Sequence, residues 1–428
     1  MNKKKLTYET EILVVGSGVG SLGLIPEFIK KNFNIIVVDK GNVNDIYTKN
    51  FKDRTNAIFK KNGRFPKSEE GLSYYYHNGI GGTLEVSCGN GVDPSRRNLE
   101  CLGIDISGEL TDVKSELLVN YTPVSHMGAN TLSLISGAET IGYKMTSMPK
   151  FIDFDKCTRC AFCETFCPNA AKWSSKRVIE AYIDNKQIKF IPGVQIERIE
   201  IVGNTAQSAV GVLDGREIQI NSDIIFITSG GLGSPVILQN SGIKSGRNLF
   251  LDLFVVVYAQ DHGFELTRDI PMAAFYHDPD DAFIIASYMD IDLWQALVKH
   301  NMSKWLNKGN YNGLMVKIAD EGSGRVLSDG SVKKKVTAND QNLLNKGVAI
   351  AKKILLASGG NPETLKVTDV KGAHPGGTAA IGQVVGPDLK VKGINNLFVA
   401  DSSVFPLSFG KPPILQIMAL AKKIAKSI

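Results

Sequence analysis

The amino-terminal ten residues are polar, and the chain turns apolar at Glu11–Val15, a short run rich in β-branched residues. A run this short, closed by Gly16, predicts a buried strand of a parallel sheet. The hexapeptide Gly16-Ser17-Gly18-Val19-Gly20-Ser21 follows, then a helix-compatible segment to about Lys31 that contains Pro26, where a kink is expected. A second apolar run, Asn34–Val38, ends in Asp39. The longest apolar stretch, Leu249–Ala259, is too short to cross a bilayer, and Asp252 interrupts it. The early apolar run reads as a strand, so neither a leader peptide nor a membrane span is expected. No internal repeat or low-complexity linker is visible.

Strand, glycine turn, helix, strand and acid together form the dinucleotide-binding fingerprint. Gly16 permits the tight turn. Gly18 lets a pyrophosphate approach backbone N–H groups at the positive end of the helix. Gly20 completes the turn, and Ser21 stands where a third glycine or alanine is usual. Asp39, 23 residues after Gly16, is placed to accept hydrogen bonds from an adenosine ribose and would repel a 2′-phosphate. The turn by itself leaves FAD and NAD both open.

Composition adds bounds rather than function. With 428 residues there is core for two or three domains, and 43% hydrophobic with 21% charged residues is ordinary for a soluble globular protein. The net charge of +6 comes from scattered basic residues, which suit solubility and argue against a nucleic-acid surface.

The six cysteines change the picture more, because four of them fall within residues 157–167. Such clustering points to a metal and to a reducing compartment, hence the cytoplasm. Cys157-Thr-Arg-Cys160-Ala-Phe-Cys163-Glu-Thr-Phe-Cys167-Pro168 is the bacterial-ferredoxin spacing. Its short intervals turn three thiolates toward one cuboidal cluster. In two-cluster ferredoxins the fourth cysteine of the run serves the other cluster, and only one run exists here. The fourth iron is therefore open: Cys167 completes a [4Fe–4S] cluster, Cys88 or Cys101 reaches in, or the cluster is [3Fe–4S]. Zinc is the competing reading, although structural zinc usually draws its ligands from two separated pairs. Outside a ligand role, Cys88 and Cys101 read as buried free thiols.

Three further segments resemble the glucose–methanol–choline (GMC) oxidoreductases. His77-Asn78-Gly79-Ile80-Gly81-Gly82-Thr83 resembles the first family signature, whose glycine pair lies against the flavin and its pyrophosphate. Gly230-Gly231-Leu232-Gly233-Ser234-Pro235 and its continuation to Ile243 resemble the second. His374-Pro375-Gly376-Gly377-Thr378, with Asn396–Pro406, is similar to the carboxy-terminal segment that carries the catalytic histidine. Ala171-Lys172-Trp173-Ser174 also looks like the family's continuation after the cysteines. Leu84 and Ser87 depart from the first signature. The second polar catalytic group, a His or Asn before a proline near the chain end, is replaced by Pro412. That group is therefore missing or supplied by a neighbour such as Lys411 or Gln416.

The resemblance implies an α/β fold: a Rossmann-like FAD-binding domain, an inserted α+β substrate domain with an antiparallel sheet, and the cysteine-rich segment. The expected divisions are 1–250 for the FAD domain, 251–365 for a trimmed substrate domain and 366–428 for the return. The implied FAD contacts are Gly16, Ser17, Gly18, Gly20, Ser21, Asp39, Gly81, Gly82, Thr83, Val194, Gly230, Asp401 and Ser402, with no covalent link. His374 is the implied base that takes an alcohol's hydroxyl proton while hydride passes to the flavin, with Lys411 beside it. Some members carry a cluster in this stretch, so Cys157, Cys160, Cys163 and Cys167 imply an electron exit to a ferredoxin or other one-electron protein. The alternatives are a ferredoxin-driven reductase of a carbonyl or activated double bond, and a non-catalytic electron-transfer flavoprotein subunit. His77 and His300 read as structural, and the oligomeric state stays open between monomer, homo- and hetero-oligomer.

Overall fold

The computed structural model describes residues 5–41, 65–94, 96–164, 167–261, 269–288 and 310–428. His300 lies outside the described residues, as do Thr165 and Phe166 within the cysteine run.

The first apolar run becomes β1 (Leu6–Val15), which passes through the glycine turn into α1 (Val19–Lys30) and returns as β2 (Ile35–Asp39). Pro26 lies inside α1. Later in the chain come β3 (Lys189–Pro192) and a meander of β4 (Gln195–Val202), β5 (Thr205–Leu213) and β6 (Arg216–Ile227). The sheet order is β3-β2-β1-β6-β5-β4. Strands β3, β2, β1 and β6 pair in parallel, whereas β4, β5 and β6 pair antiparallel.

β6 is long enough to serve two partners on one edge. Its first half pairs with β5, and Ile225–Ile227 pair in parallel with β11 (Leu397–Val399), which closes the Rossmann sheet. All five positions of β2 are buried, as expected of a strand covered on both faces. The carboxy-terminal helix α7 (Ile414–Ser427) packs on α1, so the chain end lies against the nucleotide half.

The second sheet is antiparallel at its centre. β7 (Phe254–Asp261), β10 (Asn310–Ile318), β9 (Phe283–Ser287) and β8 (Ala274–His277) lie side by side in that order. Short strands at Ser73–Tyr74 and Lys371–Gly372 extend one edge, and Thr146–Ser147 the other. The sheet thus recruits chain from well outside residues 251–365.

Alternation along its strands gives it two faces. Val255, Val257, Leu314, Val316 and Ile285 sit in a core covered by α6 (Ala338–Ala357). Thr337 and Asp340 start that helix with a reciprocal capping box. Phe254, Val256, Met315, Ile284 and Ala286 point the other way, toward Tyr75, Val86 and Cys88 of the first-signature region and Ala373 beside His374. Among the described residues no helix is long and apolar enough to cross a membrane.

Candidate active site

The glycine turn is shaped by what cannot fit. Gly16 has φ +113°, and a Cβ there would meet the Thr228 carbonyl oxygen at 2.6 Å. Gly20 is tighter, since a Cβ would come within 1.8 Å of the Ala400 oxygen at the end of β11. Gly20 therefore makes the close approach, and Ser21 is tolerated because its hydroxyl donates back to the Gly18 carbonyl at 2.7 Å.

Gly18 differs from both. The nearest atom to a Cβ there is 3.9 Å away, so the space above it is open, and Gly82 of the first signature faces it with 3.2 Å from its own would-be Cβ to the Gly18 Cα. No side chain caps the amino end of α1, which leaves its first N–H groups for an anion. This gap between two glycines at an uncapped helix start fits the pyrophosphate of a dinucleotide.

A hydrogen-bond chain sets the spacing. The Asp39 carboxylate accepts from the Ser17 N–H (2.8 Å), the Ser17 hydroxyl (2.6 Å) and the Gly41 N–H (2.7 Å). Ser17 Oγ in turn accepts from the Gly81 N–H at 2.9 Å. Burial pushes the Asp39 carboxyl up, and these donors oppose that. Val194 lies beside them, its N–H on the Asp39 carbonyl at 2.9 Å. Thr83 sits in a short 3₁₀ turn, Gly82–Val86.

The second signature and the carboxy-terminal return form one block. Gly230 N–H (2.9 Å) and Ser234 Oγ (2.5 Å) donate to Asp401 Oδ2. Ser402 accepts from the Gly231 N–H at 3.1 Å and donates to the Pro375 carbonyl at 2.7 Å. Gly231 presses so closely on the Pro375 carbonyl that a Cβ would lie 2.2 Å from it. Asp401 and Ser402 thereby seat the loop that presents His374.

His374 Nδ1 lies 2.9 Å from Asp252 Oδ2. Asp252 is fully buried, and its Oδ1 accepts from Ser408 Oγ (2.6 Å) and from the N–H groups of Phe409 and Gly410 (2.9 Å each). A carboxylate so supplied with donors fixes the imidazole with Nδ1 protonated and Nε2 bearing its lone pair. The His374 side chain keeps 23% of its surface accessible.

Burial first, and then the nearby Lys317 charge, lower the histidine's proton affinity, against the opposing pull of Asp252. Neutral imidazole at neutral pH is the form a general base requires. Both partners hold left-handed backbone, φ 50° for His374 and 45° for Asp252, a conformation that costs side-chain-bearing residues energy and collects at functional sites. Sequence reading missed Asp252 as a partner. Its signal was the lone acid breaking the apolar run 249–259, a charge that must be paired once buried.

Lys411 is buried, but its ammonium pairs with Asp281 at 2.9 Å and lies 3.4 Å from His277 Nε2. Burial raises the Asp281 carboxyl, but donation and charge from His277 and Lys411 hold it down to about 2. Gln416 is also buried, in the first turn of α7. His77 is buried with its ring against Gly79, as a packing residue would be.

Cys157, Cys160, Cys163 and Cys167 line one cavity, with Ile152, Lys172 and Ile270 among its other walls. Cys167 Sγ accepts N–H bonds from Ala171 (3.1 Å) and Lys172 (3.3 Å). The loop turns on three non-glycine residues with positive φ, Arg159, Ala161 and Ala170. Among the described residues no group of three or more His, Cys, Asp or Glu gathers closely enough to hold a metal ion.

The other two cysteines lie apart from that cavity. Cys88 is buried with its thiol 3.3 Å from Glu164 Oε1, as a satisfied free thiol. Cys101 corrects the expectation of burial: it is exposed on a short surface helix, Arg96–Leu102. Two buried lysines brace the region. Lys172 Nζ donates to the carbonyls of Glu85, Ser87 and Cys163, and Lys150 Nζ to those of Cys88 and Pro271 and to Asn90 Oδ1. They tie the chain after Gly82 to the cysteine loop.

Comparison with known proteins places this geometry. The GMC oxidoreductase profiles match residues 91–254 and 331–421. The chain is 28% identical to protein MJ1450 of Methanocaldococcus jannaschii over 98% of this chain and 99% of that one. It is 20% identical to the long-chain-alcohol oxidase FAO4A of Arabidopsis thaliana over 98% and 68% respectively. The crystal structure of pyridoxine 4-oxidase from Mesorbium loti superposes with a TM-score of 0.73 at 16% identity, over 98% and 99% of the two chains. The chain belongs to the GMC oxidoreductase family, FAD-dependent oxidoreductases acting on CH–OH donors.

Proposed function

We propose that this protein is a dehydrogenase that oxidises an alcohol at His374 and releases electrons through its cysteine segment. The observation that carries the reading is His374, tautomerically fixed by buried Asp252 and seated by Asp401 and Ser402 beside the glycine cradle. Bound FAD would supply the hydride acceptor, and an iron–sulfur cluster at the four cysteines would supply a one-electron exit to a ferredoxin-like protein. The chain's own part is positional: Gly16–Ser21, Gly81–Thr83 and Gly230 hold the dinucleotide, and His374 Nε2 takes the hydroxyl proton.

Two observations support the cluster over zinc. All four cysteines line one cavity, which suits a cuboidal guest. They also fall in a single run, Cys157 to Cys167, whereas structural zinc usually draws its ligands from two separated pairs. The backbone N–H groups on Cys167 Sγ and the brace from Lys172 to Cys163 suit a buried anionic cluster. The names of the alcohol oxidase and of pyridoxine 4-oxidase support an alcohol as donor; the cysteine run is the ground for a protein acceptor rather than oxygen.

The test is anaerobic addition of an alcohol panel to protein assayed for flavin, iron and sulfide. The expected result is non-covalent FAD, iron with acid-labile sulfide, and flavin bleaching by at least one alcohol. In His374→Ala the flavin should stay bound while bleaching slows about 10²–10⁴-fold. Bleaching within a few-fold of the parent would remove His374 from the chemistry. Flavin reduced by ferredoxin alone would replace the dehydrogenase with a reductase.

A further inference from the structure

Most of the buried lysines around the site have partners. Lys334 faces Asp320 at 2.6 Å, Lys411 faces Asp281 at 2.9 Å and Lys422 faces Glu27 at 3.3 Å. Lys150 and Lys172 each reach three oxygens. Lys317 is different. It is only 3% exposed, yet among the described residues its ammonium has neither a hydrogen bond nor an ion pair, and its contact is the Phe254 ring, 4.8 Å away. The nearby carboxylates have other partners: Asp252 holds His374, Ser408, Phe409 and Gly410, Asp320 holds Lys334, and Glu164 accepts from Cys88 and Tyr288.

Its direction follows from strand register. On β10, Leu314, Val316 and Ile318 face the core under α6, so Lys317 shares the opposite face with Met315. It pairs across the sheet with Phe254, two residues after Asp252, and with Ile284. That face looks toward the first-signature chain and Ala373, and the ammonium lies close enough to depress the proton affinity of His374. A buried cation with carboxylates nearby but none in contact is costly to keep, and aromatic support from Phe254 offsets only a small part of that.

We propose that Lys317 recognises an anionic group, carboxylate or phosphate, on the alcohol whose hydroxyl faces His374. The inference rests on the alcohol-oxidation reading and narrows its substrate to hydroxy acids or phosphorylated alcohols. Lys317 is then a specificity residue that fixes the substrate's charged end while His374 takes the proton at the other.

The first test needs no turnover. FAD-loaded protein is titrated anaerobically with oxalate, with inorganic phosphate and with the uncharged analogue oxamide, reading the flavin's visible spectrum. One of the two anions should perturb the spectrum saturably and oxamide should not; which anion succeeds separates carboxylate from phosphate recognition. In Lys317→Met the Kd should rise about 30-fold or more, the loss expected on removing one partner of a desolvated charge pair, and Lys317→Arg should recover part of it. Lys317→Gln serves if the methionine variant fails to load FAD, and the wild-type contrast of anion with oxamide decides the matter if both fail.

The second test compares flavin reduction by lactate with 1,2-propanediol and by glycerol 3-phosphate with glycerol. The anionic member of one pair should win, and Lys317→Met should raise its half-saturating concentration more than it lowers the limiting rate. No anion effect in the wild type, equal affinity in Lys317→Met, or a shifted flavin midpoint potential with unchanged anion binding would each overturn the assignment; the last would give Lys317 to the flavin. Anion binding without reduction by any alcohol would instead keep Lys317 and refute the alcohol reading.

Discussion

The His374–Asp252 pair and the four-cysteine loop hold reactive side chains by opposite means. Asp252 receives four donors from the protein itself, and His374 Nδ1 is one of them. The cysteines, by contrast, surround a cavity, where Cys167 accepts backbone N–H bonds from Ala171 and Lys172. Burial pushes the Cys163 thiol up to about 11 and raises Cys157 as well. The first centre is complete with protein atoms alone, whereas on the proposed function the second would take a guest that supplies further interactions. The two should therefore respond to different perturbations.

The largest effect expected beyond loss of His374 itself comes from Asp252→Asn. The amide removes the charge that favours the correct tautomer, and flavin reduction by alcohol should fall on the order of 10²-fold or more. The pH profile sharpens the point. His374 must be neutral to act as base, so the rate is lost as pH falls through its pKa, which lies below the ordinary histidine value. Asp252 is the influence that raises that pKa, so in Asp252→Asn the acid limb should move to still lower pH. Iron and sulfide content should not change. A limb that stays in place would mean that the pair does not control the base.

A smaller effect distinguishes the dyad from the other buried pair nearby. The Asp281 carboxyl is held to about 2, below its ordinary value of 3.8. Its pairing thus stabilises the fold above about pH 3.8 and loses that contribution as pH falls through about 2. Lys411→Met removes one of the two groups that lower it, so acid unfolding should begin at higher pH. At neutral pH the loss should be about 2 kcal/mol, between an exposed pair and a fully buried one. Flavin reduction should stay within a few-fold of the parent. A fall of about 10²-fold would instead place Lys411 in the chemistry, in the role left open by Pro412.

The parts of this site that could be read from sequence are those made by backbone. Gly16 and Gly20 are glycine because the chain turns or closes there, Gly18 because it leaves the space above the helix start open, and the strand and acid at fixed distances locate all three. The antiparallel sheet was expected within 251–365, where its central strands lie, but not the chain that extends its edges. Its edge strands at Ser73–Tyr74 and Thr146–Ser147 are too short to carry a period of their own.

The charged interior escaped for a related reason. Asp252, Lys317, Lys150 and Lys172 each interrupt an apolar or structural run, and a sequence shows the interruption without the partner. Asp252 meets His374 across 122 positions of chain. Lys411 shows the converse: adjacency to Pro412 suggested chemistry, and the fold gave it Asp281 instead.

The central claim is that chemistry and electron exit reside in these two separately built centres. Cys160→Ser, with flavin and iron assayed on one preparation, tests it most directly by following two anaerobic steps. The account predicts that alcohol still bleaches the flavin at close to the parental rate, while transfer to a one-electron protein acceptor is lost. Unchanged transfer to that acceptor in a folded, flavin-loaded, cluster-free variant would contradict it.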